Sequence, residues 1–203
     1  MRRTRLFALA WAACCIAHAD RLIEIPTGRL IYPERLTLEA GFLTGKSTRE
    51  RAFVNLRVGG LLELQGARTG FESRLELYGV QYSLYPEIPG YAPGISVGIS
   101  DVFDRSAQGR GYYVAISYGI AALGANPLDH DLRIHLGFGW AGVPSFFLGF
   151  DVPLTNQLFL QAEYAGESIN AALAWRPSRS VELRGAIVRE RTSWSIMVRL
   201  WEE

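Results

Sequence analysis

From residue 34 to residue 200 apolar positions recur every second residue, not every third or fourth. Leu36, Leu38, Ala40 and Phe42 alternate with Arg35, Thr37, Glu39 and Gly41. Tyr112, Val114, Ile116, Tyr118 and Ile120 alternate with Tyr113, Ala115, Ser117 and Gly119. In DLRIHLGFGW (131–140), Leu132, Ile134, Leu136, Phe138 and Trp140 oppose Asp131, Arg133, His135, Gly137 and Gly139. The same period runs through 54–58, 95–100, 158–164, 169–176, 181–187 and 194–200. A period of two is that of a strand with one oily and one wet face. Turn chemistry separates the runs, as in Pro153-Leu154-Thr155-Asn156, Ala165-Gly166-Glu167 and Arg176-Pro177-Ser178-Arg179. Longer connections are expected at 44–51, 82–94 and 102–111. Closely spaced strands and turns predict an all-β antiparallel meander of about twelve strands, with ten to twelve allowed. One stretch has two readings. Val54, Leu56, Val58, Gly60, Leu62 and Leu64 keep one phase through Gly59-Gly60. It is either a single long strand or a hairpin with an odd-numbered loop, because a two-residue loop would break the phase.

The oily face meets either a folded core or lipid. Many apolar rows carry an aromatic residue near a strand end: Phe42, Tyr112, Trp140, Tyr164, Trp175 and Trp194. Rings placed there suit an interfacial girdle, with an oily body and, in Tyr and Trp, a polar tip. Between the girdles, Leu136 and Phe138 would face acyl chains. The opposite rows mix small residues with ionisable ones, as a narrow wet lumen requires. Closing the meander into a barrel satisfies every backbone group in a bilayer. The expectation is a transmembrane antiparallel β-barrel whose first partner is outer-membrane lipid. A soluble periplasmic binding barrel, with the pattern turned inside out, is the competing architecture. Composition agrees with neither a helical membrane bundle nor a nucleic-acid binder: hydrophobic residues make up 49%, charged residues 20%, and the net charge is +1.

Residues 1–19, MRRTRLFALAWAACCIAHA, have a basic start, a twelve-residue apolar run and small residues at Ala17 and Ala19. The run is too short to span a bilayer as a helix, and the layout is that of an export signal. The predicted domains are a cleaved signal at 1–19 and one outer-membrane barrel at 20–203, in a Gram-negative-type cell. Cys14 and Cys15 both lie in the signal, so the mature chain is expected to hold no disulfide. Trp11 and Ala12 stand where a lipidation motif prefers leucine.

The wet rows contain the candidate site. Arg35, Glu39, Arg57, Arg74 and Glu76 carry both signs in the first half, with Glu63 beside them. Arg133, His135, Glu163, Glu182, Arg184 and Arg199 continue the series. Paired with each other they form an interior salt-bridge lattice; aimed at a solute they form a polar path. The balance of signs favours the lattice. Catalysis is not expected. His130 and His135 are five apart and point to opposite faces of a strand. Ser100, Ser117 and Ser195 have no histidine beside them in sequence, and GISVGIS lacks the order of a nucleophile elbow. A lipid-acting hydrolase on the same architecture is the alternative. Asp101 and Asp104 in DVFD read as a turn, because a calcium loop needs further acidic ligands. No metal or cofactor is expected. Tyr82, Tyr85 and Tyr91, in a proline-stiffened loop, suit either interfacial anchoring or stacking against sugars.

Several segments resemble the YjbH-like family of outer-membrane β-barrel proteins, which is linked to exopolysaccharide production and export. They are IPTGRL (25–30), ERLTLEAGF (34–42), GISVGISDVFD (94–104), YYVAISYGI (112–120), DLRIHLGFGW and the closing run at 146–200. The resemblance implies a non-enzymatic barrel serving surface polysaccharide secretion or assembly, as a scaffold or narrow conduit. Its partners would be polysaccharide and other export proteins. Family members are often longer, and their motifs mark architecture more strongly than chemistry. The chain ends Trp201-Glu202-Glu203, whereas outer-membrane barrels commonly end on an aromatic residue.

Overall fold

The structure, a computed structural model, describes residues 21–29, 34–44, 49–69, 75–120 and 132–201. Twelve antiparallel strands close into a barrel in which each strand pairs with its neighbours in sequence and β1 seals against β12. They are β1 (Glu34–Leu43), β2 (Arg49–Val58), β3 (Leu62–Thr69), β4 (Leu75–Tyr85), β5 (Gly94–Ser100) and β6 (Gly111–Ile120). The second half holds β7 (Leu132–Ala141), β8 (Phe147–Pro153), β9 (Leu158–Ala165), β10 (Ile169–Ser178), β11 (Val181–Val188) and β12 (Arg191–Trp201). The expected all-β barrel of about twelve strands is therefore the fold. We call the end where β1 begins and β12 finishes the base, and the opposite end the rim.

The ambiguous stretch at 54–64 is a hairpin. Val58 pairs with Leu62 across the three-residue loop 59–61, and Gly59 supplies its positive φ of 65°. An odd loop keeps both strands in one apolar phase. Arg176-Pro177 differs from its expected place in a turn: it lies within β10, beside a register shift between Trp175 and Ser178. A proline without an amide proton is tolerated at such an irregularity.

Alternation decides what faces out. Phe42, Phe138, Trp140, Tyr164, Trp175 and Trp194 are exposed large residues, along with Leu38, Leu56, Leu160, Leu173 and Ile196. Leu136 and Tyr112 share the outward phase of β7 and β6. Toward the rim the rings gather into a belt: Tyr112 stacks on Trp140 with centroids 6.0 Å apart, and Phe146 bridges Phe138 and Tyr164 at 5.6 and 6.3 Å. Phe42 pairs with Trp194 across the seam. A wall of aliphatic side chains under an aromatic belt is the exterior that hydrocarbon and its interface require. The inward phase also holds Phe53, Ala67, Tyr113, Ala115, Phe147, Ala172 and Ala174, all buried. Leu77 pairs with the inward Ala67 and lines a cavity inside the barrel.

The hydrophobic core lies against the inner face of the wall. It forms where residues 21–29 fold back inside the barrel. Leu22, Ile23 and Ile25 pack against Tyr113, Ala115, Phe147, Ala172, Ala186 and Val188. Each of the three hairpin residues is at least 97% buried and contributes about 1.5–3 kcal/mol of burial. An antiparallel bridge joins Arg21 to Pro26, and the Leu22 amide donates to the Ile25 carbonyl at 3.1 Å. The segment is a small hairpin that stands in the lumen, its stem toward the base and its tip at Ile23-Glu24.

Candidate functional site

The hairpin divides the lumen, and four sets of contacts hold it. At the tip, three consecutive amides converge on one carboxylate. Ile23 N–H donates to Glu163 Oε2 at 2.9 Å, Glu24 N–H to Oε1 at 2.8 Å, and Ile25 N–H to Oε2 at 3.2 Å. Successive amides in a turn form a concave anion cradle, filled here by the barrel's own side chain. Asn170 Nδ2 donates to the same Glu163 at 2.7 Å and fixes its rotamer. Arg21 donates from Nη2 to Glu39 at 2.8 Å, bonds the Ile23 carbonyl, and lies 3.5 Å above the Phe53 ring. Glu24 accepts from Arg51 Nη2 at 2.7 Å and meets Arg189 Nε at 3.2 Å.

The stem is held by backbone fit. Gly28 N–H donates to Ser117 Oγ at 2.8 Å, and Ser96 Oγ donates to the Gly28 carbonyl at 3.1 Å. A Cβ at Gly28 would stand 2.6 Å from the Gly94 carbonyl oxygen and 2.7 Å from that of Ala115, so no side chain fits. Gly149 is flattened for the same reason: a Cβ there would meet Leu22 and Ile25 at 2.6 and 2.7 Å.

Below the hairpin, toward the base, is a cavity of about 40 Å³. Among the described residues, six arginines line it, Arg21, Arg29, Arg133, Arg176, Arg184 and Arg199, against a single acidic residue, Asp151. Behind them Glu182, fully buried, gathers three of these guanidinium groups. Arg176 Nε donates at 2.7 Å, Arg184 Nη2 at 2.6 Å and Arg199 Nη2 at 2.6 Å. Arg176 also reaches Asp151 at 3.2 Å and stacks over Phe159 at 3.8 Å. Above the hairpin, toward the rim, the lumen widens to about 540 Å³, lined among others by Phe53, Gln65, Tyr113, Phe147, Arg51 and Arg189. Tyr113 Oη donates to Gln81 at 2.9 Å on its wall.

Most sequence-selected polar residues are on the inner surface. Glu39, Arg57, Glu63, His135, Glu163, Glu182 and Arg184 are buried there. Arg133 and Arg199 line the smaller cavity. Arg35 and Glu76 lie on β1 and β4, but their side chains are outside the described residues, as are Arg74 and His130 altogether. Of these charges, Arg184 and Arg199 pair with Glu182, joined by Arg176. Three elements were missed. Arg176 closes the alternating wet row of Asn170, Ala172 and Ala174 and opens the Arg-Pro turn signal, and it is not among the residues selected for the lumen. The hairpin has no period to detect. Ser117 and His135, eighteen residues apart, meet across the β6–β7 register with Oγ and Nδ1 2.6 Å apart. That pair anchors the stem, since Ser117 Oγ accepts the Gly28 amide.

In the rim loop 101–110, Asp101 and Asp104 close turns. Asp101 accepts the amides of Arg105 and Ser106 at 2.9 and 2.6 Å, and Asp104 accepts that of Arg110 at 2.8 Å. Burial would raise the Asp101 carboxyl, but the amides and the Arg105 charge outweigh it and hold it below the ordinary aspartate value. The Gly142 amide donates to the Arg110 carbonyl at 3.1 Å, locking the 142–146 loop onto this one.

No family model and no curated protein matches the chain. Among solved structures, a KdgM porin superposes with a TM-score of 0.52 at 12% identity, covering 82% of this chain and 99% of that one. A KdgM porin in complex with disordered oligogalacturonate gives a TM-score of 0.49 at 14% identity, with the same coverages. The chain shares with the first of these the architecture of a twelve-stranded barrel.

Proposed function

We propose that the protein is a non-enzymatic outer-membrane conduit for anionic carbohydrate, serving surface polysaccharide secretion or assembly. The observation that carries this reading is the constriction at the base side of the hairpin, where six arginines face one aspartate. Even with Glu39 and Glu182 behind them and Glu87 acting on Arg133, the described residues give six arginines against four carboxylates. A narrow passage with such walls concentrates anions and rejects cations, because low-dielectric walls focus the field. Guanidinium groups also match carboxylates and sulfates with paired donors. Polysaccharide as the solute, and export as the direction, rest on the resemblance to YjbH-like barrels. The oily exterior and aromatic belt support the membrane, and the resemblance supports the outer one.

Reconstitution in planar bilayers tests the selectivity. In a potassium chloride gradient the reversal potential is expected to show a severalfold preference for anions, from the focusing of field in a charged cleft. Arg133→Glu is expected to remove most of it. Cation preference in the parent protein would overturn the reading. In cells, deletion is expected to diminish the surface polysaccharide, with restoration by the intact chain. An unchanged coat would rule out the polysaccharide role.

A further inference from the structure

The hairpin tip occupies a binding site that its own carboxylate fits poorly. Glu24 uses one donor of Arg51, Nη2 at 2.7 Å, while the buried Nε–H of Arg51 makes no hydrogen bond. Glu24 Oε2 is likewise buried without a hydrogen bond, and its contact with Arg189 Nε, 3.2 Å, is an ion pair only. A free carboxylate would take an arginine through two parallel donors, the stronger and more directional arrangement. Glu24 makes its single contact with Arg51 from a backbone held by its amide bond to Glu163 at 2.8 Å.

Arg189 is held in an unusual way. It and Glu190 form the two-residue turn between β11 and β12, with φ of 48° and 65°. Such a turn normally takes Asn-Gly. Strained backbone of this kind persists where the surroundings over-determine it and is concentrated at ligand clamps. The Arg189 amide is tied to Asn170 Oδ1 at 3.0 Å, while its side chain remains 60% exposed over the rim-side cavity. That cavity, about 540 Å³, falls in the range of about 300–1,000 Å³ of small-molecule sites. The buried rings of Phe53, with Arg21 over one face, and Tyr113 border it, and Gln65 and Gln108 bring amide groups of the kind that orient a sugar.

We propose that Arg51 and Arg189 form a subsite for the carboxylate of an acidic saccharide, and that Glu24 is a built-in competitor which keeps the hairpin in place until that ligand arrives. The proposal rests on the anionic-carbohydrate reading above and adds the site and the order of events. A uronate entering from the rim takes both arginines, Glu24 loses its partners, and the hairpin then hangs on Glu163, Glu39 and the stem alone.

The test uses the full chain in planar bilayers, with sodium glucuronate as probe, glucose as neutral control and sodium chloride at matched ionic strength. Each solute is added to one compartment at a time. Glucuronate on the rim side is expected to raise the conducting fraction of the parent protein roughly tenfold, the shift that one lost ion pair of moderate strength produces. The two controls should leave it unchanged. E24Q should conduct at the raised level without ligand and gain nothing from glucuronate. R189Q should raise the unliganded level in the same way, and heat-shifted gel mobility establishes that each variant folds. Unliganded conductance equal to the parent in both variants overturns the proposal. So does equal opening of parent and E24Q by glucuronate, or opening of the parent by sodium chloride alone. Passage of glucuronate itself, read from the reversal potential, judges the conduit reading separately: E24Q that opens to chloride but excludes glucuronate keeps the latch and removes the acidic-sugar conduit.

Discussion

The two halves of the lumen, separated by the hairpin, are stabilised by different means. On the base side, charge is dense and closely paired, three arginines on one fully buried glutamate, and the free space is about 40 Å³. On the rim side, rings, amides and scattered arginines surround about 540 Å³. A barrel of twelve strands lies between those that side chains fill and those that hold an aqueous channel. This chain uses both outcomes in one tube. The difference shows that strand number alone does not set the bore. The inward row decides it locally, through long paired side chains at one level and small residues at another.

Removing Glu182 should break the comparison most severely. Glu182→Ala leaves three arginines crowded without their shared anion, and breaking a buried ionic cluster costs about 3–5 kcal/mol. On the rim side, Tyr113→Phe removes two neutral hydrogen bonds, a good one to Gln81 at 2.9 Å and a long one from Gln65 at 3.5 Å, at about 1–2 kcal/mol together. Urea unfolding in detergent, followed by tryptophan fluorescence, should separate the two by the shift in midpoint. Equal shifts would show that the halves are not built differently.

A smaller effect is expected at the divider. Gly28→Val pushes a side chain into the backbone of β5 and β6, and overpacking costs about 1–3 kcal/mol. The hairpin should then leave the lumen more often, by roughly tenfold for each 1.4 kcal/mol. Tryptic cleavage after Arg21 and Arg29, read by mass spectrometry, should quicken accordingly while the strands stay intact. Unchanged cleavage would mean that the stem is not what holds the hairpin.

The smallest effect concerns the rim. Asp101 has a depressed folded-state pKa, so its contribution to loop order is complete above the ordinary aspartate value. It is lost as pH falls through the depressed one. Exchange of the Ser106 amide should therefore accelerate only in strongly acidic solution, and Asp101→Asn should remove the acid dependence.

The wall was legible in the sequence because a strand writes its two faces as alternation. DLRIHLGFGW states which residues turn inward, and Gly59-Gly60 with its preserved phase left only two possibilities. The hairpin was not legible. RLIEIPTGR has no period, and its partners Glu163, Ser117 and Glu39 lie 18 to 140 residues away. Its charges, Arg21 and Glu24, complement Glu39 and Arg51 only once the barrel has closed. Ser117 and His135 are similar: alternation puts each in a wet row, but their meeting depends on register, which alternation does not fix. Arg176 was legible as the end of a wet row, but nothing in its own segment shows that it meets Glu182 on the next strand.

The glutamate cradle and the sealing seam together bear on assembly. Four residues, 30–33, connect the hairpin to β1, and β1 is the strand that meets β12 to complete the circle. A cylinder finished first would have to admit its own leading segment through the base, past the arginine cluster. If the seam instead zips up last, the tether carries the hairpin to the site as the circle narrows, and Glu163 on β9 is already waiting. Docking and circularisation then become one event, so that an unoccupied bore is a state reached only from the finished protein.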